Sequence, residues 1–359
     1  MILLPLKMVR EGMINAKPIY TSKEQLLLDE GIVVKERYLE RLGELGIRSL
    51  YIIDDLADKV IIHDIVKEEF KMNSISKVEE IMRNICCFDE KEVEGIKKDI
   101  NNIIEELLTQ EDVLLNLCEI RSIDDYTYGH SVNVSILSLI TAINLGYSKD
   151  QLLELGIGAL LHDIGKTKIS LKIVNKPSSL TTKEFNEIKN HTTLGYEILS
   201  DIENLSSNSK DIVLMHHERF DGNGYPNNLK GKEIPEFARI VAIADVYDAM
   251  INDRVYRLRV STDNALDYVV SVSGTQFDDS LVQEFIKNIA RYPVGQGIVL
   301  NTGFKGYVIS NKKNHRCRPT VRILYNYLGE RLEVPYITDL SIEDDSIKII
   351  GVTNDIELF

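Results

Sequence analysis

Five of the seven histidines, His130, His162, His191, His216 and His217, lie between positions 130 and 217, and only His63 and His315 fall outside that stretch. Two of the five arrive beside another ligand-type side chain: His162 precedes Asp163, and His216 precedes His217. Asp245 interrupts the apolar run Ile243-Ala244-Asp245-Val246. Adjacent residues on a helix diverge by about 100°. Each adjacent pair therefore suits two metal ions, or one ion and one supporting contact. A lone histidine on an apolar helix is more often a satisfied core residue than a ligand. Five histidines and two aspartates in one helical region are a different case, because their polarity needs partners that metal ions supply. The donors are all nitrogen and oxygen, which fits Fe, Mn, Co, Ni or Zn. Lys166 follows His162 by one helical turn and can face the same site; the bland alternative is an exposed surface lysine.

The elements that must carry these residues read as mostly helical. Between 111 and 292, amphipathic segments run over 113–123, 130–145, 149–162, 182–199, 208–217, 234–250, 261–273 and 279–290. Thr181 and Ser261 are the expected N-caps. Upstream, residues 1–65 read as a small α+β unit with a helix over 35–45 and a strand over 49–53. Residues 66–110 read as a helical linker or hairpin whose apolar face carries Ile96, Ile100, Ile103, Ile104 and Leu107. A dimerising coiled coil is the competing reading there. Residues 293–359 are richer in Val, Ile, Thr, Tyr and Gly and read as a small β unit. The expected fold is mainly α, with a helical domain over 111–292 flanked by those two smaller units.

Lys and Arg number 42 against 56 Asp and Glu, a net charge of −14, and 44% of residues are hydrophobic. Those proportions exclude a disordered chain. The acidity argues against general nucleic-acid binding, which draws its affinity from Lys and Arg. A phosphate-bearing ligand remains compatible where a metal or a few arginines concentrate positive charge. Cys86, Cys87, Cys118 and Cys317 offer no CxxC spacing, so neither a disulfide framework nor a thiolate zinc site is expected. Reduced thiols point to the cytoplasm. The opening MILLPLKMVREGM is too short an apolar stretch for a signal peptide, and no apolar run is long enough to predict a membrane span. Gly165-Lys166-Thr167 lacks the upstream glycine of a P-loop, with Leu160 in its place. His217-Glu218 lacks the second histidine of a zincin, with Asp221 in its place.

Ordered motifs then carry a resemblance. Asp125-Tyr126-Thr127, Gly129-His130-Ser131, His162-Asp163-Ile164-Gly165-Lys166, His191 and His216-His217-Glu218-Arg219 come first. Asp221-Gly222 and Gly224-Tyr225-Pro226 follow, then Arg239-Ile240, Asp245-Val246-Tyr247-Asp248-Ala249, Arg254 to Arg257 and Gly274 to Asp278. The chain resembles the HD-GYP phosphodiesterases of the HD metal-dependent phosphohydrolase superfamily over about half its length. The resemblance implies a helical HD-type domain that hydrolyses cyclic di-GMP to the linear dinucleotide, and more slowly to GMP. It implies two divalent ions, Fe or Mn, with Zn, Co or Ni as alternatives. His162, Asp163 and Asp245 would hold one ion, and Asp163 would bridge to a second held by His191, His216 and His217. His130 sits where the family has a ligand of the first ion or of a third. Members with a third ion carry a glutamate four residues before that histidine. Here that residue is Tyr126, so the resemblance is to the two-metal members.

The implied mechanism is in-line attack by a hydroxide bridging two metals. Asp163 and Lys166 are the expected catalytic residues, Lys166 stabilising charge or protonating the leaving 3′ oxygen. Arg254 and Arg257, three residues apart, would clamp a second phosphate or a guanine edge, or else pair with surface carboxylates. Tyr225 would stack on a base or anchor its loop. Gly222, Gly224 and Pro226 demand a defined turn. Glu218 and Asp221 are read as groups that orient the histidines, with Asp248 in a supporting role. The expected partner is cyclic di-GMP, with no membrane. A homodimer and a regulatory protein partner for the N-terminal unit remain open. Competing readings are a phosphodiesterase for another cyclic dinucleotide such as cyclic GMP-AMP, and a non-catalytic cyclic di-GMP receptor or scaffold.

Overall fold

The computed structural model describes residues 2–20, 26–45, 47, 49–53, 66–85, 88–109, 126–176, 178–251, 260–312 and 315–353. At the N-terminus β1 (Ile2–Pro5) pairs antiparallel with β4 (Ser49–Ile52), and β2 (Ile19–Tyr20) with β3 (Leu26–Leu28). Between them α1 (Glu36–Glu44) matches the expected helix. Then α2 (Glu68–Arg83) and α3 (Glu90–Leu108) form the helical hairpin. Asp89 caps α3 by accepting from the amides of Lys91 and Glu92 at 2.9 and 3.3 Å. The isoleucine face expected of α3 is buried, together with Val93.

The helical domain continues through α4 (Tyr126–Asn144), α5 (Lys149–Leu161), the single-turn α6 (Leu171–Val174), α7 (Thr182–Lys189) and α8 (His191–Ser200). It is completed by α9 (Ser207–Met215), α10 (Glu236–Ile251), α11 (Thr262–Ser271) and α12 (Asp279–Ile286). One apolar core joins α2 to α5 and α8 to α12. Helices α4 and α10 are buried on nearly every side, as central helices are, although both carry buried polar side chains. Reciprocal hydrogen bonds between Ser148 and Gln151 start α5, and the pair Thr181 and Glu184 starts α7.

Three details differ from the sequence reading. The helix expected over 182–199 is two helices meeting at Asn190, which closes α7 and opens α8. That break makes His191 the first residue of a helix. Ser261 stands at the N-cap position of α11, but its hydroxyl makes no capping bond. The segment expected over 279–290 ends as a regular helix at Ile286. The segment 113–123 lies outside the described residues.

The C-terminal unit is a five-stranded antiparallel sheet in the order β8-β7-β6-β5-β9. Its strands are β5 (Gly297–Leu300), β6 (Lys305–Ser310), β7 (Thr320–Tyr325), β8 (Arg331–Asp339) and β9 (Ile349–Val352). Tyr307 of β6 and Leu324 of β7 lie in the same apolar cluster as Leu4, Leu50 and Ile52 of the N-terminal unit. The Leu3 amide donates to the Gly295 carbonyl at 3.1 Å. The two ends of the sequence thus share a core separate from that of the helical domain. Among the described residues no helix is long and apolar enough to cross a membrane.

Candidate metal centre

Five elements bring the polar residues together. His130 projects from α4, and His162 and Asp163 stand where α5 gives way to the tight turn Ile164–Lys168. His191 opens α8, His216 and His217 follow α9, and Asp245 sits inside α10. Glycine permits the closest approach. A Cβ on Gly165 would collide with the His191 carbonyl, and the Gly195 amide lies alongside. The turn after Asp163 can therefore lie directly on α8.

Backbone carbonyls orient the rings. His162 Nδ1 is 2.7 Å from the Ala159 carbonyl and His191 Nδ1 is 2.7 Å from that of Ile188. His216 Nδ1 meets the carbonyls of Ile212 and Val213 at 3.1 and 3.0 Å. A carbonyl only accepts, so each Nδ1 carries the proton and each Nε2 offers a lone pair. Those lone pairs converge: His191 Nε2 and His216 Nε2 are 3.3 Å apart. Among the described residues, His162 Nε2 and Asp163 Oδ1 are buried with no hydrogen-bond partner. Polar atoms orphaned in a core are what a bound cation satisfies.

Three overlapping ligand groups fit this arrangement among the described residues. His191, His216 and His217 form one, His130, His162 and Asp245 another, and His162, Asp163 and His216 a third that links them, with donor atoms in each within 4.8 Å of one another. Asp163 faces the first two, its Oδ1 3.5 Å from His191 Nε2 and its Oδ2 3.3 Å from His162 Nε2. Burial pushes the imidazoles of His191 and His217 down, to about 4 and about 3, and holds His216 well below its usual range. Neutral imidazole is the form that binds a metal. His130 is the exception. Burial opposes its charge, but hydrogen bonds with Asp245 and Asp248 win and raise it to about 9. Burial alone would raise the Asp163 carboxyl, yet Lys166 and His162 hold it well below the carboxylate range.

Lys166 faces the site as expected, its Nζ 2.5 Å from Asp163 Oδ2. Asp248 accepts from His130 Nδ1 at 2.7 Å and from Asn133 Nδ2 at 2.9 Å. Asn133 was not among the expected residues, although its place three positions after His130 on one helix face could have revealed it. Glu218 and Asp221 correct the sequence reading. Glu218 accepts from the amides of Asn227 and Leu229 at 2.6 and 3.0 Å. Asp221 accepts from Arg219 at 3.2 and 2.8 Å and from the Asn223 amide at 2.9 Å. Both carboxylates shape the loop, and among the described residues neither bonds a histidine.

That loop carries Tyr225. Gly222 adopts a left-handed φ of 84°, and a Cβ on Gly224 would strike the backbone of Glu218 and Arg219. The Tyr225–Pro226 peptide is cis. The Tyr225 amide donates to the His217 carbonyl at 3.2 Å, and its ring stacks on His217 with centroids 4.8 Å apart. A cavity of about 490 Å³ opens beside the centre, walled by Lys166, His191, His217, Tyr225 and Asp245 with apolar side chains opposite. Arg254 and Arg257 lie outside the described residues, as does the side chain of Tyr126.

Comparison with known proteins places these residues within a recognised domain. Residues 115–281 match the family model described as HD domain, and residues 298–358 match one described as KOW domain associated with HD domain. Residues 115–281 are thereby recognised as an HD domain. It is 33% identical over 253 residues to a Pseudomonas aeruginosa protein named cyclic di-GMP phosphodiesterase PA4108, covering 70% of this chain and 61% of that one. It is 40% identical over 195 residues to a Thermotoga maritima protein named cyclic di-GMP phosphodiesterase, covering 51% and 52%. It is 31% identical over 195 residues to a Vibrio cholerae protein named 3'3'-cGAMP-specific phosphodiesterase 2, covering 53% of this chain and 37% of that one. The chain therefore spans between about a third and three fifths of these relatives' own length.

Proposed function

We propose that this chain is a metal-dependent phosphodiesterase that opens cyclic di-GMP to the linear dinucleotide, with GMP as a slower product. The observation that carries the reading is the convergence of five histidines and two aspartates with His162 Nε2 and Asp163 Oδ1 left unsatisfied. His162, Asp163 and Asp245 would hold one divalent ion, with His130 beside them. His191, His216 and His217 would hold another, and Asp163 would face both. Fe or Mn suits these nitrogen and oxygen donors, as do Zn, Co and Ni. When bound, such ions supply Lewis acidity, neutralise phosphate oxygens and lower the pKa of an attacking water.

The chain's own residues do the rest. Asp163 stays ionised between the two histidine groups because Lys166 and His162 flank it. Lys166 reaches the cavity wall and can move a proton to the leaving 3′ oxygen. Tyr225, stacked on His217, gives a base an aromatic surface beside the centre. Ile169, Val174, Leu180 and Met250 add apolar surface to the same cavity.

Relatives named for cyclic di-GMP and for 3'3'-cGAMP support two substrates of one class, and the closer matches carry the first name. Metal-loaded protein incubated with cyclic di-GMP and cyclic GMP-AMP, with products resolved by chromatography, separates them. Faster conversion of cyclic di-GMP is expected, lost in His162→Ala. Preferential conversion of cyclic GMP-AMP would move the reading to the second substrate.

A further inference from the structure

A second chamber of about 350 Å³ adjoins the first, walled by Lys189, Arg219, Asn223 and Gln276. Phe185, His217, Tyr225 and Val246 line both chambers. Three cations stand in these walls among the described residues, and two have carboxylate partners. Lys166 pairs with Asp163 at 2.5 Å, and Arg219 reaches Asp221 at 2.8 Å and Gln276 at 3.0 Å. Lys189 has no carboxylate at ion-pair distance among the described residues. Its ammonium lies over aromatic rings instead, 4.9 Å from the centroid of Phe185 and 5.2 Å from that of Tyr225.

The difference matters chemically. A ring face attracts and steadies a cation without neutralising it, so the charge remains available to an anion. An ammonium brings three donors to such an anion. Lys189 also closes the last turn of α7, where the carbonyl end of the helix favours positive charge. Tyr225 touches both His217 and Lys189, so one side chain ties the metal centre to this second cation.

A cyclic dinucleotide carries two phosphates on opposite sides of its ring. With one at the histidine and aspartate centre, the other must lie away from it. We propose that Lys189 binds this second phosphate from the smaller chamber, with Phe185 and Tyr225 holding its ammonium in place. The assignment rests on the cyclic-dinucleotide reading above and adds a contact distinct from Arg254 and Arg257.

The test compares full-length, metal-loaded wild type, Lys189→Ala and Lys189→Arg on cyclic di-GMP and on bis(p-nitrophenyl) phosphate, a diester with a single phosphorus. Lys189→Ala should raise KM for cyclic di-GMP about tenfold more than for the single-phosphorus diester, the worth of one charge-assisted hydrogen bond. Lys189→Arg should restore most of that difference. Equal changes on both substrates, or none on either, would overturn the assignment and leave the phosphodiesterase reading standing. Wild type that cleaves the simple diester but neither binds nor cleaves a cyclic dinucleotide would overturn both.

Discussion

At the scale of single residues, the centre is defined by what holds each ring as much as by the rings themselves. His130 is the clearest case, with Asp248 at its Nδ1 and Asn133 steadying that carboxylate. Replacing Asp248 with Asn keeps the volume and removes the charged acceptor. Metal affinity of Asp248→Asn should fall roughly 10–100-fold, as for other groups that orient a ligating histidine. Titration of metal-free protein measures it, and an unchanged affinity would show that His130 needs no such support. The ligand-type residues themselves were legible in the sequence, because histidine is scarce and their pairing is local. The roles of Glu218 and Asp221 were not. Their nearness in sequence to His216 and His217 suggested contact, but the chain turns after His217 and both carboxylates point back into the loop.

At the scale of elements, spacing is set where backbones touch. The turn after Asp163 rests on α8 only because Gly165 and Gly195 carry no side chains. Gly165→Ala should therefore destabilise the protein by about 1–3 kcal/mol, the usual cost of overpacking, and should weaken metal binding as well. Urea unfolding with and without metal reports both effects. A variant as stable as wild type would mean the turn can move aside. A second anchor is the buried pair of Arg239 on α10 and Asp278 at the start of α12. Burial would raise the Asp278 carboxyl, but hydrogen bonds from Ser280 and the Arg239 guanidinium hold it below its ordinary value. Asp278→Asn leaves the Arg239 charge only the half-exposed Glu236 at 3.5 Å among the described residues and should cost about 1–3 kcal/mol. A carboxyl depressed in the folded state stabilises above its unfolded pKa, and that stability is lost as pH falls through the folded one. The gap between wild type and variant should therefore narrow on acidification below about pH 4, measured by thermal melts across pH. A gap independent of pH would contradict the role given to this pair. Helices such as α1 and α3 were legible because their apolar spacing is local. The break at Asn190 was not, since apolar periodicity runs through it and only the packing of His191 requires it.

At the scale of the whole molecule, separate apolar cores coexist. The helical domain builds its own, and the two ends of the chain build another in which Tyr307 and Leu324 meet Leu4, Leu50 and Ile52. Nothing in local periodicity announces a contact between segments so far apart in sequence, which is why each end could be read only by itself. Tyr307→Ala should cost about 3–5 kcal/mol within the terminal core. Limited proteolysis should then cut the N-terminal unit faster while metal binding by the helical domain persists. Loss of metal binding in that variant would mean the two cores unfold as one. The net charge of −14 takes on a narrower meaning at this scale. An acidic protein can still hold an anionic dinucleotide where metal ions, Lys166 and Lys189 gather positive charge at one site. The most direct test of that account measures bound metal and cyclic di-GMP turnover on the same freshly purified sample, beside Asp163→Ala. About two metal ions per chain and conversion to the linear dinucleotide are expected, both reduced in the variant. Fully metal-loaded wild type that leaves cyclic di-GMP intact would contradict it.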